Sequence, residues 1–141
     1  PMIQRYRSRL SGPLLDRIDL HIEVPRVQHK DLADPVDAES SVTIRARVEV
    51  ARRVQRERLE KFGLHANAQM QARHIRKFCP VDELGHKLLE MVTDRLGLSA
   101  RSYSRILKVA RTIADLAGCE MIQQAHLAEA IQYRGLDRKV T

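Results

Sequence analysis

The 141-residue chain has no tryptophan, two phenylalanines and three tyrosines, and only six glycines and five prolines. That scarcity of aromatics and turn residues argues against a β-sandwich or barrel and for helices. No uninterrupted apolar run approaches the roughly 18 residues that a membrane-spanning helix needs. No charged, apolar and small-residue succession of the secretory type opens the chain. No membrane partner is expected, therefore, and the cytoplasm is the expected compartment. Two cysteines, Cys79 and Cys119, make neither a disulfide framework nor a zinc quartet, and a reducing compartment suits both.

Motifs for self-sufficient chemistry are missing as well. There is no G-x-x-x-x-G-K-[ST], so the chain by itself cannot cradle a triphosphate in a P-loop, and there is no H-E-x-x-H. The six histidines are scattered; His74 and Cys79 lie five apart, which is no zinc pattern, and no metal site is expected. Phe78-Cys79-Pro80-Val81-Asp82-Glu83 has the look of a Walker B strand, but Pro80 and the helical period after it make this a coincidence. No nucleophile–base pair stands out. The chain alone is not expected to be an enzyme.

What is present is charge and helical period. Twenty-five Lys and Arg against 18 Asp and Glu give a net charge of +7, which favours anionic partners: nucleic acid, nucleotide phosphates or acidic proteins. Apolar residues, at 43%, suffice for a modest core. Ile18 to Val24 alternates apolar and polar residues and is closed by Pro25, the mark of a short strand whose sheet lies elsewhere. Pro1 is an unusual first residue, and the chain is expected to continue upstream. Residues 26–39 are polar, contain Pro35 and four acidic residues, and read as a linker.

From Ser40 or Ser41 a long helix runs to about Lys61 and stops at Gly63, with Ile44, Val48, Ala51, Leu59 and Phe62 as its apolar stripe and Val54 at the margin. A short helix spans about 71–78. Pro80 opens another to Leu96, with Leu84, Leu88, Met91 and Val92 on one face, ended by Gly97. Ser99 starts the helix with the cleanest stripe (Tyr103, Ile106/Leu107, Ala110, Ile113/Ala114, Ala117), stopped by Gly118. A last helix, about 123–134, buries Leu127, Ala130 and Ile131. The expected fold is mainly α: a bundle over residues 40–135 with short connections, one short residual strand ahead of it, and a tail at 136–141.

One segment is specific. Ser11-Gly12-Pro13-Leu14-Leu15-Asp16-Arg17-Ile18-Asp19-Leu20 sets an arginine between two aspartates immediately before the alternating stretch. Two readings are open. Asp16 and Asp19 pair with Arg17 in a surface turn, or they hold a guanidinium rigidly for presentation to a phosphate, bidentate and always charged.

Residues Gln4 to Val24, through the Leu-Leu-Asp-Arg-Ile-Asp-Leu motif, resemble the end of the AAA+ core in magnesium-chelatase-like ATPases, and within them the bacterial branch tied to DNA competence. The motif is similar to the one that carries the arginine finger there and in the MCM helicases. The resemblance continues in order through Ala66-Asn67-Ala68-Gln69, Gly97-Leu98-Ser99-Ala100-Arg101-Ser102-Tyr103 and His126 to Arg134, and so covers nearly the whole chain. It implies that residues 1–25 are the last part of an ATPase core and that 40–135 are its C-terminal helical lid, with P-loop, Walker B and sensor 1 upstream. By that resemblance Arg17 is an arginine finger acting on a neighbouring subunit's nucleotide, and Arg101 is the sensor 2 residue. ATP and Mg2+ are then ligands of the longer protein rather than of this chain. The implied partners are its own upstream core, the other subunits of a homo-oligomeric ring (a hexamer) and DNA.

Arg105, Lys108 and Arg111 line a basic side of the helix that starts at Ser99, and Arg45, Arg52 and Arg56 cluster on the first long helix. Arg45, Arg52, Arg56, Arg105 and Lys108 are candidate phosphate or DNA contacts, against the plainer reading of solvated helix faces. With no aromatics interleaved, base stacking is not supported. Three rivals remain: an ATPase subunit of magnesium chelatase, which drives metal insertion into a porphyrin; a free-standing basic helical DNA-binding module; and a protein-interaction adaptor.

Overall fold

A computed structural model describes residues 9–26 and 38–134. The expected linker falls mostly, and the expected tail wholly, outside these residues, as does the start of the Gln4–Val24 stretch. The described elements are a one-turn helix α1 (Gly12–Leu15), then α2 (Ser41–Leu59), α3 (Ala72–Phe78), α4 (Glu83–Leu96), α5 (Ala100–Leu116) and α6 (Gln124–Gln132), with 3-10 turns at Glu60–Phe62 and Asn67–Gln69.

Local chemistry sets these boundaries. The Ser40 Oγ accepts from the Thr43 N–H at 3.2 Å, the Asp82 carboxylate from the Gly85 N–H at 2.7 Å, and the Ser99 Oγ from the Ser102 N–H at 3.1 Å. Each bond satisfies an N–H that the first helical turn leaves without a partner, a device worth about 1 kcal/mol. Histidine does the same work in reverse at α3 and α6: His74 Nδ1 accepts from the Gln71 N–H and His126 Nδ1 from the Gln123 N–H. Burial of the His74 ring holds its pKa below the ordinary value, which keeps Nδ1 free to accept. Gly63 and Gly97 close their elements with φ of 66° and 61°, in the left-handed region that residues with a Cβ avoid.

α5 is the hub, packing against α6, α2, α3 and the Asn67–Gln69 turn, while α4 packs on α6. Leu59, Met70, Leu89, Ile106, Ala110 and Leu127 lie at the centre of the core. The bundle is the all-helical fold that the sequence periods predict.

Several details differ from the sequence expectation. Residues 18–24 form no strand; among the described residues the His21 N–H donates to the Tyr133 carbonyl at 2.7 Å and the Ile18 N–H to the Leu15 carbonyl at 3.0 Å, and no ladder forms. A strand needs a ladder, and α6 offers only its last exposed carbonyls. On α2 the buried positions are Ala51, Gln55 and Leu59, whereas Ile44 and Val48 are exposed, because the first ten residues of the helix overshoot the bundle. α4 starts at Glu83 with Asp82 as cap, not at Pro80, and buries Gly85 and Leu89, while Leu84 and Met91 face solvent. Ala117 is also exposed.

Gly85 decides how closely α4 can approach α6. A Cβ there would lie 2.3 Å from Val81 Cγ1, 2.8 Å from Leu127 Cδ1 and 3.0 Å from Asp82 Oδ1. Overpacking of this kind costs about 1–3 kcal/mol, against a gain below about 1 kcal/mol from replacing a glycine in the first turn of the helix. Gly85→Ala is expected to lower the denaturant midpoint of the chain, a net loss of about 1 kcal/mol or more; a raised midpoint would show that Val81 and Leu127 give way freely.

Candidate functional site

The segment that carries Arg17 is held against the N-terminus of α5 and the C-terminus of α6. Ser11 starts α1, with Pro13 in its first turn, where a missing N–H costs nothing. The turn places Asp16 and Arg17 on different sides. Asp16 turns into the bundle, where the Ser102 Oγ donates to its Oδ1 at 2.8 Å. Its carboxyl pKa is held below the ordinary 3.8 by that Ser102 bond first, and further by Ser99, Arg134 and Arg101, against a smaller opposing effect of burial. A carboxylate at the positive end of α5 is also favoured by the helix dipole. Because the folded value is depressed, this contribution to docking is complete above the unfolded pKa and is lost only as the pH falls through the folded one.

Arg17 is exposed, and its Nη1 donates to the Pro13 carbonyl at 3.3 Å. An exposed bond of that length holds a long side chain weakly. Neither aspartate pairs with it. Asp19 instead accepts from Arg105 Nη1, and both readings in which the aspartates hold the Arg17 guanidinium are replaced: they fasten the backbone on either side of it to α5.

Arg101 is the second residue of α5 and is exposed. It stands near enough to Asp16 to help hold that carboxyl's pKa down. The structure therefore brings Arg17 and Arg101, nominated from distant parts of the sequence, to one end of the bundle.

The other nominated cations divide. Arg45, Arg52 and Arg56 are exposed along one face of α2, spaced seven and four residues apart, as a solvent-facing row requires. Arg105 is occupied by Asp19. Lys108 is half-buried, donates from Nζ to the Ala68 carbonyl at 2.9 Å, and has its pKa lowered mainly by burial. Arg111, expected to continue the basic side of the helix, is 2% exposed. Its Nη1 and Nη2 donate to the Glu120 and Cys119 carbonyls at 2.7 and 2.6 Å, and its Nε to Asp115 at 3.1 Å.

Asp115 is the centre of a buried network that sequence reading missed. Its carboxylate takes two bonds from Arg58, at 2.9 and 2.6 Å, one from Asn67 Nδ2 at 2.8 Å, and the Arg111 bond. The Asn67 N–H donates in turn to Gln55 Oε1 at 3.2 Å. The signal was available as Leu107, Arg111 and Asp115, an i, i+4 row at the edge of the α5 stripe holding two opposite charges.

No group of three or more His, Cys, Asp or Glu among the described residues is arranged to hold a metal ion. Cys79 is buried, and its thiol pKa is pushed up to about 11 mainly by burial, which leaves it unreactive at neutral pH. No helix among the described residues is long and apolar enough to cross a membrane.

The helical bundle that begins at Ser41 holds the Asp16-Arg17 turn against the helix carrying a second exposed arginine, and its fold is that of a helical lid. Family comparison gives the narrower class. The family described as "Magnesium chelatase, subunit ChlI C-terminal" matches residues 38–134, and "Magnesium chelatase, subunit ChlI" matches residues 1–32. The chain belongs to the magnesium-chelatase-like family. It is 45% identical over 137 residues to the competence protein ComM of Haemophilus influenzae, and 44% identical over 135 residues to the uncharacterized protein YifB of Escherichia coli. An uncharacterized Mycobacterium tuberculosis protein is 34% identical over 131 residues. These alignments cover 96%, 95% and 93% of this chain but 26% of each relative; the chain spans about a quarter of the length of the proteins it resembles.

Proposed function

We propose that this chain is the lid and finger portion of a ComM-type ATP hydrolase that works as a homo-oligomeric ring on DNA. In this reading residues 1–25 end the ATPase core, 26–39 link it to the lid, and 40–135 are the lid. ATP is held, with Mg2+ on its phosphates, by a core upstream of these residues. Arg17 reaches the triphosphate of the neighbouring subunit. Its guanidinium donates to the γ-phosphoryl oxygens as water attacks phosphorus and the bond to the β–γ bridging oxygen breaks, where charge on the transferred group needs neutralising. Arg101 donates to the same phosphates.

The observation that supports this most is the division of labour at the Asp-Arg pair. Asp16 is locked to Ser102 while Arg17, one residue on, is exposed and among the described residues bound only through the Pro13 carbonyl. A finger must be rigid at its base and free at its tip. Because the base is fastened beside Arg101, the two arginines move together, and the reading has both address one nucleotide held by the adjacent subunit. The exposed row of Arg45, Arg52 and Arg56 supports the DNA-directed reading, since solvent-facing cations along one helix face can neutralise backbone phosphates. A magnesium-chelatase subunit is the alternative, and DNA stimulation of ATP turnover separates the two.

The test of this reading is made on Arg101. In the full-length protein, Arg101→Ala is expected to weaken binding of a fluorescent ATP analogue by about tenfold, the loss of one charge-assisted bond pair. The effect should be restored by adding variant subunits that keep Arg101 but are disabled for nucleotide binding in their own core. Unchanged affinity removes Arg101 from the nucleotide site.

A further inference from the structure

The proposed reading leaves open what keeps the base of the finger in place, and one buried cation bears on it. Arg134, two residues past α6, is 1% exposed. Its Nη1 donates to the Ile18 carbonyl, and its Nη2 donates to the Ser102 Oγ at 3.1 Å and lies 3.9 Å from Asp16 Oδ1. The Ser102 hydroxyl passes the interaction on by donating to Asp16. A single planar guanidinium thus joins the end of α6, the first turn of α5 and the two residues that flank Arg17, across 116 positions of sequence.

Burying a guanidinium is costly unless its donors are met and a counter-charge stands near. Here the acceptors among the described residues include the finger segment and the α5 helix that carries Arg101, with Asp16 as a nearby anion. Lysine would not reproduce the arrangement, because an ammonium is a compact point charge without the flat fork that reaches two acceptors at fixed separation. Donor chains of this kind polarise one another, so that loss of one member loosens the rest. Two further contacts, Arg105 to Asp19 and the His21 N–H to the Tyr133 carbonyl, continue the same seam. Neither touches Asp16 or Ile18.

We propose that Arg134 is a positioning residue for the finger: it clamps the Asp16–Ile18 turn to the N-terminus of α5, so that Arg17 and Arg101 are presented as one rigid unit. The catalytic part of this inference rests on the reading of Arg17 as an arginine finger; the mechanical part does not. Lid movements then carry Arg17 with them, and a change at the lid's far end reaches the neighbouring subunit's γ-phosphate through Arg134.

Two measurements on the full-length protein test this. The first is amide exchange in Arg134→Lys and Arg134→Met. The N–H groups of Asp16, Arg17 and Ile18, which donate to Gly12, Leu14 and Leu15 carbonyls, are expected to exchange at least tenfold faster, while those of Ala110 and Ala114 in the middle of α5 stay unchanged. Unchanged exchange at 16–18 in both variants overturns the clamp. Equal acceleration at 110 and 114 in both overturns it too, since Arg134 would then serve the fold as a whole.

The second is a double-variant cycle on ATP turnover. Arg134→Lys is expected to lower kcat at least tenfold with less than a twofold change in nucleotide affinity, and to cause no further loss in an Arg17→Ala background. A loss of similar size in both backgrounds, or an unchanged kcat, overturns the positioning role. Should Arg17→Ala itself leave turnover intact, the finger reading fails, and the exchange result alone decides whether the clamp exists.

Discussion

Arg17→Ala in the full-length protein is expected to lower the steady-state rate of ATP hydrolysis by about 10³-fold or more, the scale of an arginine finger supplied to a transferred phosphoryl group. Nucleotide affinity should change by less than about threefold, because a finger's bonds are made mainly to charge that develops in the transition state. The stability of the lid should not change either, since an exposed side chain with one long bond contributes little. That combination separates a finger from a structural arginine, whose loss would register first in unfolding. Mixing sharpens the test. Arg17→Ala subunits combined with subunits unable to bind nucleotide should recover turnover, as each supplies what its neighbour lacks. Retained hydrolysis by pure Arg17→Ala protein would falsify the finger assignment, and failure to recover on mixing would place Arg17's action within its own subunit.

The parts of this molecule that were legible in the sequence are those fixed by neighbours in the chain. Helix existence and most ends follow from local chemistry: Ser40 and Ser99 at starts, Gly63 and Gly97 at stops, the period of Ile106, Ala110 and Ala114 between. Which stripe is buried is a tertiary matter. Ile44 and Val48 have the spacing of a core face and are exposed all the same, because nothing among the described residues packs on the first turns of α2; Gln55, polar, is buried because Asn67 turns back onto it. The candidate site divides in the same way. Arg17 and Arg101 were nominated through short motifs and a family resemblance, whereas the partners that organise them were not. Ser102 lies 86 positions from Asp16, and Arg134 lies 116 from Ile18; no period or spacing rule spans such separations. The aspartates beside Arg17 show the limit most directly, because their side chains bind α5 and not the arginine between them.

The buried network around Asp115 carries the largest expected effect on stability. Asp115→Ala would leave the Arg111 guanidinium, 2% exposed, with its two carbonyl acceptors but no counter-charge, and would strip Arg58 of both its carboxylate bonds. Removing one partner of a buried ion pair costs about 3–5 kcal/mol, a large share of the 5–15 kcal/mol that holds a typical domain together. The chain carrying Asp115→Ala is therefore expected to be substantially unfolded at 37 °C, read as loss of a cooperative transition in circular dichroism. Asp115→Asn should be milder, since an amide oxygen can still accept one of the four incoming bonds. The informative comparison is with a variant that removes the charges together. Replacing Arg111 and Asp115 by methionine and leucine deletes one cation along with the anion and fills the space with apolar atoms, and such exchanges are often neutral or better. Arg58, 16% exposed at its side chain, can turn to water once released. If the double variant is more stable than Asp115→Ala by several kcal/mol, the cost of the single change is that of a stranded charge; if the two unfold alike, Asp115 acts through its bond to Asn67, which ties the 67–69 turn and the end of α2 to the hub helix.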